Sequence, residues 1–285
     1  MMEQLVVGID GSPASFEAFE QGVELARRTE ASIKCVYVVD SRKTEVPIVY
    51  TGSSFDISLE RIYLPLDPNL KDYYARIGED LRAFAKKCLD MCLERCEKLG
   101  VPASSVIREG FPTAELSEEG RSGDLLVVGQ KGENAQYRRA IVGSTTEDLV
   151  RTAPLPILVV PERRREIKRV IAVYDGGRTS ENALRFYVNA MKDLAEEFIL
   201  FEVEEPEVAD SAIEEVTLLK NHGITARLIR RSDVSNLTVI DLAAREQADL
   251  ILTGAYGKHK IKAYILGTTT AHLLRKSTVP VLIVY

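Results

Sequence analysis

Two glycine clusters in this chain have the spacing of an anion cradle. Gly254-Ala255-Tyr256-Gly257 is followed, nine residues on, by Gly267-Thr268-Thr269. Gly129-Gln130-Lys131-Gly132 is followed, ten residues on, by Gly143-Ser144-Thr145. Each cluster comes after an apolar run, Leu250–Thr253 or Leu125–Val128, and before a segment with helical patterning. Glycine lets backbone N–H groups approach a ligand closely, and a helix start adds unpaired donors and a favourable dipole. A phosphate fits such a cradle, and a nucleotide is its most natural owner.

Other groups cluster around these loops. Lys258 directly follows the second glycine of its loop and is the cation best placed to neutralise a phosphate. Lys131, Arg138 and Arg139 belong to the other loop, and a solvated basic loop would read the same way. Asp10 and Asp175 each end an apolar strand and precede a glycine. Such an aspartate either closes a turn and caps the next helix or faces a ligand. Glu147-Asp148 near the first helix start are replaced by Ala271-His272 in the second. Acids there repel a polyphosphate, so the second site is expected to be the tighter.

No G-x4-GK[ST] loop is present, and no GxGxxG follows the first strand, so a P-loop ATPase and a dinucleotide fold are disfavoured. Cys88, Cys92 and Cys96 share a helix face, but their outer members would stand roughly 12 Å apart, too far for one metal ion. They read as an apolar stripe, and Cys35 as strand core. His222, His259 and His272 are scattered. No catalytic residues and no metal site are assigned. Binding is favoured over catalysis, with a weak ATP hydrolase or a phosphate- or adenylate-transferring enzyme as the alternative.

These loops must be carried by alternating strands and helices. Strands are expected near 4–10, 33–39, 104–108, 124–129 and 156–160, with helices near 13–30, 72–99, 112–122 and 144–152. Ser12-Pro13 reads as an N-cap and a first-turn proline. Ser144-Thr-Thr-Glu147 reads as a capping box. In the second half, strands fall near 168–174, 197–203, 225–230, 249–253 and 279–284, and helices near 179–195, 207–222, 234–247 and 268–276. This order predicts an α/β fold, two tandem doubly wound domains, each a five-stranded parallel sheet with helices on both faces. Ligands of such sheets bind beyond the strands' carboxyl ends, where both Asp-Gly corners and both glycine loops fall.

The chain is a duplication. Gln4–Gly11 matches Arg169–Gly176, and Pro156–Val160 matches Pro280–Val284. An extra stretch of about 40 residues, mostly between Asp40 and Asp80, separates the two registers in the first half. Domain one is expected over 1–161, with an insertion at about 41–71, and domain two over 168–285. The insertion holds Pro47, Tyr50, Phe55, Tyr63, Pro65 and Pro68, and reads as a packing segment, with a lid, a partner surface or a wrap over the other half left open. Arg163–Arg165 read as part of a solvated linker.

With 285 residues, 45% apolar and 28% charged, the composition is that of a soluble globular protein. A net charge of −6 argues against nucleic acid as a partner. No apolar run approaches the roughly 20 residues of a membrane helix. Four cysteines without paired spacing and an N-terminus running straight into a strand point to the cytoplasm.

The strand-Asp-Gly-Ser start and the G-x2-G-x9-G-[S/T] spacing resemble the universal stress protein family. The resemblance covers nearly the whole chain apart from the insertion, and the first half departs from the spacing by one residue. It implies a Rossmann-like fold that binds ATP or AMP, with magnesium an option beside ATP, and a regulatory role in stress responses. It assigns the adenosine to Asp10 and the Val38 backbone in the first domain, and to Asp175 and Val203 in the second. It assigns ribose and phosphates to Gly129, Gly132, Gly143, Ser144 and Thr145, and to Gly254, Gly257, Gly267, Thr268 and Thr269. It also implies that the halves pair through their last strands, Ile157–Val160 beside Val281–Val284, with a homodimer as a further option.

Overall fold

The computed structural model describes residues 2–45, 68–132, 142–203, 211–231, 236–256 and 268–285. In the first half the elements are β1 (Gln4–Ile9), α1 (Pro13–Thr29), β2 (Ser32–Asp40), α2 (Ser41–Thr44), α3 (Pro68–Leu99), β3 (Ala103–Gly110), α4 (Pro112–Gly120), β4 (Leu125–Gly129), α5 (Ser144–Thr152) and β5 (Ile157–Val160). The second half holds β6 (Arg169–Tyr174), α6 (Arg178–Ala190), β7 (Glu197–Val203), α7 (Ser211–Asn221), β8 (Ala226–Arg231), α8 (Asn236–Arg245), β9 (Leu250–Gly254), α9 (Thr268–Lys276) and β10 (Val281–Val284).

The strands form one ten-stranded sheet in the order β3-β2-β1-β4-β5-β10-β9-β6-β7-β8. Each half is a parallel five-stranded sheet in the same order, with helices among its crossovers. Among the described residues one antiparallel pair joins them, with Val281 opposite Val159 and Ile283 opposite Ile157. The strands are apolar on both faces because both faces are covered. Leu5, Val7, Cys35, Phe198 and Leu200 point to the layer of α1, α3, α6 and α7. Val6, Val36, Leu126, Ile199 and Phe201 point to the layer of α4, α5, α8 and α9. Burying each such side chain contributes on the order of 1.5–3 kcal/mol.

Local signals explain where the helices begin and end. Ser12 accepts from the Ser15 N–H and Pro13 follows, so α1 starts as its sequence demands. It ends at Glu30, which takes the left-handed conformation (φ 57°), while the Ala31 N–H bonds back to Ala26. The capping box at α5 is corrected. Gly143 is the N-cap, no side chain caps the helix, and Glu147 lies too far along to reach back. Helix α6 stops at Ala190, five residues short of its expected end, because Met191 leaves helical geometry and a turn leads to β7. The insertion contributes α2, and α3 begins at Pro68 rather than 72; Pro47, Tyr50, Phe55, Tyr63 and Pro65 lie outside the described residues.

The linker is more than solvated. The side chains of Arg163–Arg165 are exposed, but the Arg164 and Arg165 N–H groups donate to Glu17 and Gln21 on α1, each at 3.0 Å. Arg28 donates to the carbonyls of Ile167 and Asp193, both at 3.1 Å, and so ties α1 to the second half. All four cysteines are buried, as the apolar reading requires. Burial and the neighbouring Cys92 push the Cys35 thiol far up, the Cys92 hydrogen bond contributing most.

Candidate nucleotide site

The two carboxyl-end corners follow one plan. Strand β1 stops opposite Tyr37, so Val38–Asp40 pair only with β3. Strand β6 stops opposite Glu202, so Val203 pairs only with β8. Each corner therefore leaves a length of backbone with a strand on one side only, next to the Asp-Gly turn.

In the first half, Asp10 Oδ1 accepts from the Ser12 N–H at 2.9 Å, and Gly11 takes a positive φ of 81°. The turn reading of Asp10 is thus real for Oδ1. The other oxygen faces the glycine loop: a Cβ built on Gly132 would stand 2.9 Å from Asp10 Oδ2. A Cβ on Gly143 would stand 3.2 Å from the Gly132 nitrogen, and the Gly143 N–H donates to the Gln130 carbonyl at 2.9 Å. The structure so brings Asp10, Gly132 and Gly143 together at the uncapped start of α5, where Ser144 is exposed and Thr145 half-buried. Val38, half-buried, stands on the next strand.

Gly129 belongs to a different task. A Cβ there would meet the Ala14 backbone at 2.9 Å, so the glycine lets α1 press onto the end of β4. Gly254 repeats this: its Cβ would meet Thr179 Oγ1 at 2.5 Å and the Ser180 nitrogen at 2.9 Å. Thr146 and Thr270 were not singled out by sequence reasoning. Each is the third residue of its helix and donates its hydroxyl to the glycine carbonyl that ends the strand, at 2.8 Å to Gly129 and 3.1 Å to Gly254. The repeated third hydroxyl of Ser-Thr-Thr and Thr-Thr-Thr was the available signal.

In the second half Asp175 Oδ1 accepts from the Gly177 N–H at 2.9 Å and from the buried Ser180 hydroxyl at 2.8 Å. Thr268 and Thr269 open α9. Gly257, Lys258 and Gly267 lie outside the described residues, as do Arg138, Arg139 and His259. The corners differ where Tyr37 is replaced by Glu202. The Tyr37 hydroxyl donates to the Asp10 carbonyl at 3.5 Å and its ring meets Phe84 edge-on. Glu202 is 2% exposed; Arg230 holds Oε2 at 2.5 Å, and Oε1 has no hydrogen-bond partner among the described residues.

Two of the charged residues near α5, Glu147 and Lys131, are also paired. Glu147 pairs with Arg151 at 2.8 Å and with Arg275 of α9 at 3.2 Å. The Arg151 hydrogen bond, joined by the charge of Arg275, holds its carboxyl below the usual range despite desolvation. Glu147 therefore repels a polyphosphate less than its bare charge implies. Lys131 is paired with Glu162 at 2.7 Å. His272 is half-buried, with a buried Nε2 that has no partner among the described residues.

A crevice of about 470 Å³ flanks the first corner between α2, α3 and α4, with Tyr74, Arg82 and Phe111 in its wall. A larger cavity, about 670 Å³, lies at the opposite rim, by Arg169, Gln247 and Asp249 at the amino ends of β6 and β9. The described glycines of the two loops do not border it. Among the described residues no group of three or more His, Cys, Asp or Glu side chains is arranged to hold a metal ion. No described helix is long and apolar enough to cross a membrane.

The universal stress protein family model matches residues 1–161 and 201–285, leaving out β6 and α6 with Asp175. A universal stress protein of Synechocystis sp. is 24% identical over 295 residues, covering 99% of this chain and 99% of its own length. One from Methanocaldococcus jannaschii is 27% identical over 168 residues, 58% of this chain and 86% of its own. Among solved structures, a universal stress protein from Archaeoglobus fulgidus superposes with a TM-score of 0.71 at 18% identity, over 99% of this chain and 97% of that one. The last likeness shows the shared fold, and the family match spans most of the sequence: the chain belongs to the universal stress protein family.

Proposed function

We propose that this chain is a regulator of stress responses that binds an adenine nucleotide, ATP or AMP, at the carboxyl-end corner of each half. The observation that carries the reading is the cradle at Gly132. A methyl group there would fill the gap to Asp10, and the facing Gly143 leads into a helix start with no side-chain cap. Backbone N–H groups at such a start favour an anion. The Asp10 carboxylate beside them suits a ribose hydroxyl or a base N–H. The residues present thus fit a nucleotide whose sugar faces Asp10 and whose phosphates face Gly132, Gly143, Ser144 and Thr145. The backbone at Val38 serves the base. Asp175, Val203, Gly257, Lys258, Gly267, Thr268 and Thr269 fill the same roles in the second half, which we delimit as residues 168–285 against 1–161. Glycines 129 and 254 serve the cradle indirectly, by letting α1 and α6 close onto the strand ends. When ATP is the ligand, a magnesium ion held by its phosphates would lower their charge.

The test is direct. The purified protein is denatured in acid, and the released small molecules are identified by ultraviolet spectrum and mass. Calorimetry then follows ATP and AMP binding to the wild type and to Gly132→Val. A purine nucleotide in the extract and loss of one site in the variant are expected. Absence of binding at millimolar nucleotide would sink the reading, and release of ADP on incubation would move it to the hydrolase alternative.

A further inference from the structure

Helices α5 and α9 are nine-residue counterparts, and each is tied near its N-terminus to the glycine that ends its half's fourth strand, Thr146 to Gly129 and Thr270 to Gly254. Their C-terminal turns are held by the other half. The buried Gln130 side chain, in the first glycine loop, donates to the Leu274 carbonyl at 2.6 Å and to the Ser277 carbonyl at 3.3 Å. The Tyr285 hydroxyl, after the last strand, donates to the Val150 carbonyl at 2.7 Å. Leu274 and Val150 are the seventh residues of their helices. The same carbonyl is thus taken in both halves, by an amide in one and a phenol in the other.

Each donor is fixed to a glycine loop. The Gln130 carbonyl accepts from Gly143, which faces Gly132, and its N–H bonds to Val160 at 2.7 Å. The Tyr285 ring packs on Tyr256, centroids 6.1 Å apart, and Thr179 holds the Tyr256 carbonyl at 2.5 Å. Asn182 holds the Tyr285 carbonyl at 2.9 Å. Burial, with Tyr256 beside it, pushes the Tyr285 phenol up and keeps it a donor. The Glu147–Arg275 pair ties the two helices to each other directly. A nine-residue helix is a rod of about 13 Å, so a shift at its last turn reaches its first.

We propose that Gln130 and Tyr285 are positioning residues, each linking the glycine loop of one half to the helix that serves the other half's anion site. The proposal rests on the nucleotide reading for its consequence, which is that filling one site alters the affinity of the other. The links themselves do not depend on that reading. Coupling of this kind is typically about fivefold or more in affinity.

Hydrogen exchange read by mass spectrometry tests the links without any ligand. Gln130→Leu is expected to speed exchange in residues 268–276 and leave 144–152 unchanged. Tyr285→Phe, which removes a single oxygen atom, is expected to do the reverse. It also carries the test alone should Gln130→Leu fail to fold. A merely structural role would loosen both helices equally or neither, and either result overturns the proposal. ATP titrations then follow protection of residues 268–276 in the wild type, Gly132→Val, Gln130→Leu and the double variant. Blocking the first site is expected to shift the midpoint about fivefold, and to shift it no further once Gln130 is replaced. An unchanged midpoint in Gly132→Val means independent sites and overturns the coupling. Selective exchange changes with no ATP protection anywhere would leave the positioning roles standing and remove the nucleotide reading instead.

Discussion

At the scale of single residues, the glycines of one loop divide into two kinds, and they should respond differently to the same change. Gly129→Ala presses a methyl group against the Ala14 backbone, which cannot yield as a side-chain end would. Overpacking of this kind costs about 1–3 kcal/mol. Urea unfolding should show that loss, with nucleotide affinity reduced only in proportion to the unfolded fraction. Gly132→Val should leave the unfolding free energy within about 0.5 kcal/mol of wild type and remove binding at the first site. A Gly132→Val protein that binds two nucleotides as tightly as the wild type would exclude the cradle. Sequence spacing could not separate these two roles, because both demand glycine. Only the packing of α1 distinguishes them. Likewise Glu147 read as a repulsive acid from its place near a helix start, and its two arginines come from positions 4 and 128 residues away.

At the scale of elements, the strands were legible and the helix ends less so. Continuous apolar runs such as Leu125–Val128 and Val281–Val284 have no other place than a sheet covered on both faces. The end of α6 and the true cap of α5 depend on turn geometry that composition does not fix. Helix α5 also yields a pH prediction. The folded carboxyl of Glu147 titrates below its usual 4.5. Its contribution to stability is therefore present above that value and is lost as the pH falls through the lower, folded one. Thermal melting of wild type and Glu147→Gln should differ at pH 6 and converge towards pH 3. A constant gap across that range would show that the Arg151 and Arg275 pairs carry no net stability. Glu119 on α4 shows the same direction. Desolvation raises its pKa, but hydrogen bonds from Lys34 and Arg108 outweigh that and hold it low.

At the scale of the whole molecule, the halves meet at the β5–β10 pair, at the two helix ends and along α1. The linker crosses α1 through the Glu17 and Gln21 bonds, and Arg28 reaches the second half directly. Cutting the chain within residues 162–166 should therefore leave both fragments eluting together on gel filtration. Separate elution at micromolar concentration would show that the covalent link, not the interface, holds them. These long-range ties were invisible in the sequence. Gln130 and Leu274 stand 144 positions apart, and nothing in either local pattern marks the partner.

The unlike residues on the two equivalent carbonyls have a wider consequence. Two identical subunits related by a dyad must place the same side chain at both positions. A single polypeptide escapes that rule: Tyr37 could drift from Glu202, and the two equivalent carbonyls could be taken from different places, one by an amide in the glycine loop and one by a phenol after the last strand. Such a molecule need not be a switch with one threshold. On the proposed nucleotide reading, pockets of unequal affinity would fill in two stages, across a broader span of nucleotide concentration than a symmetric pair.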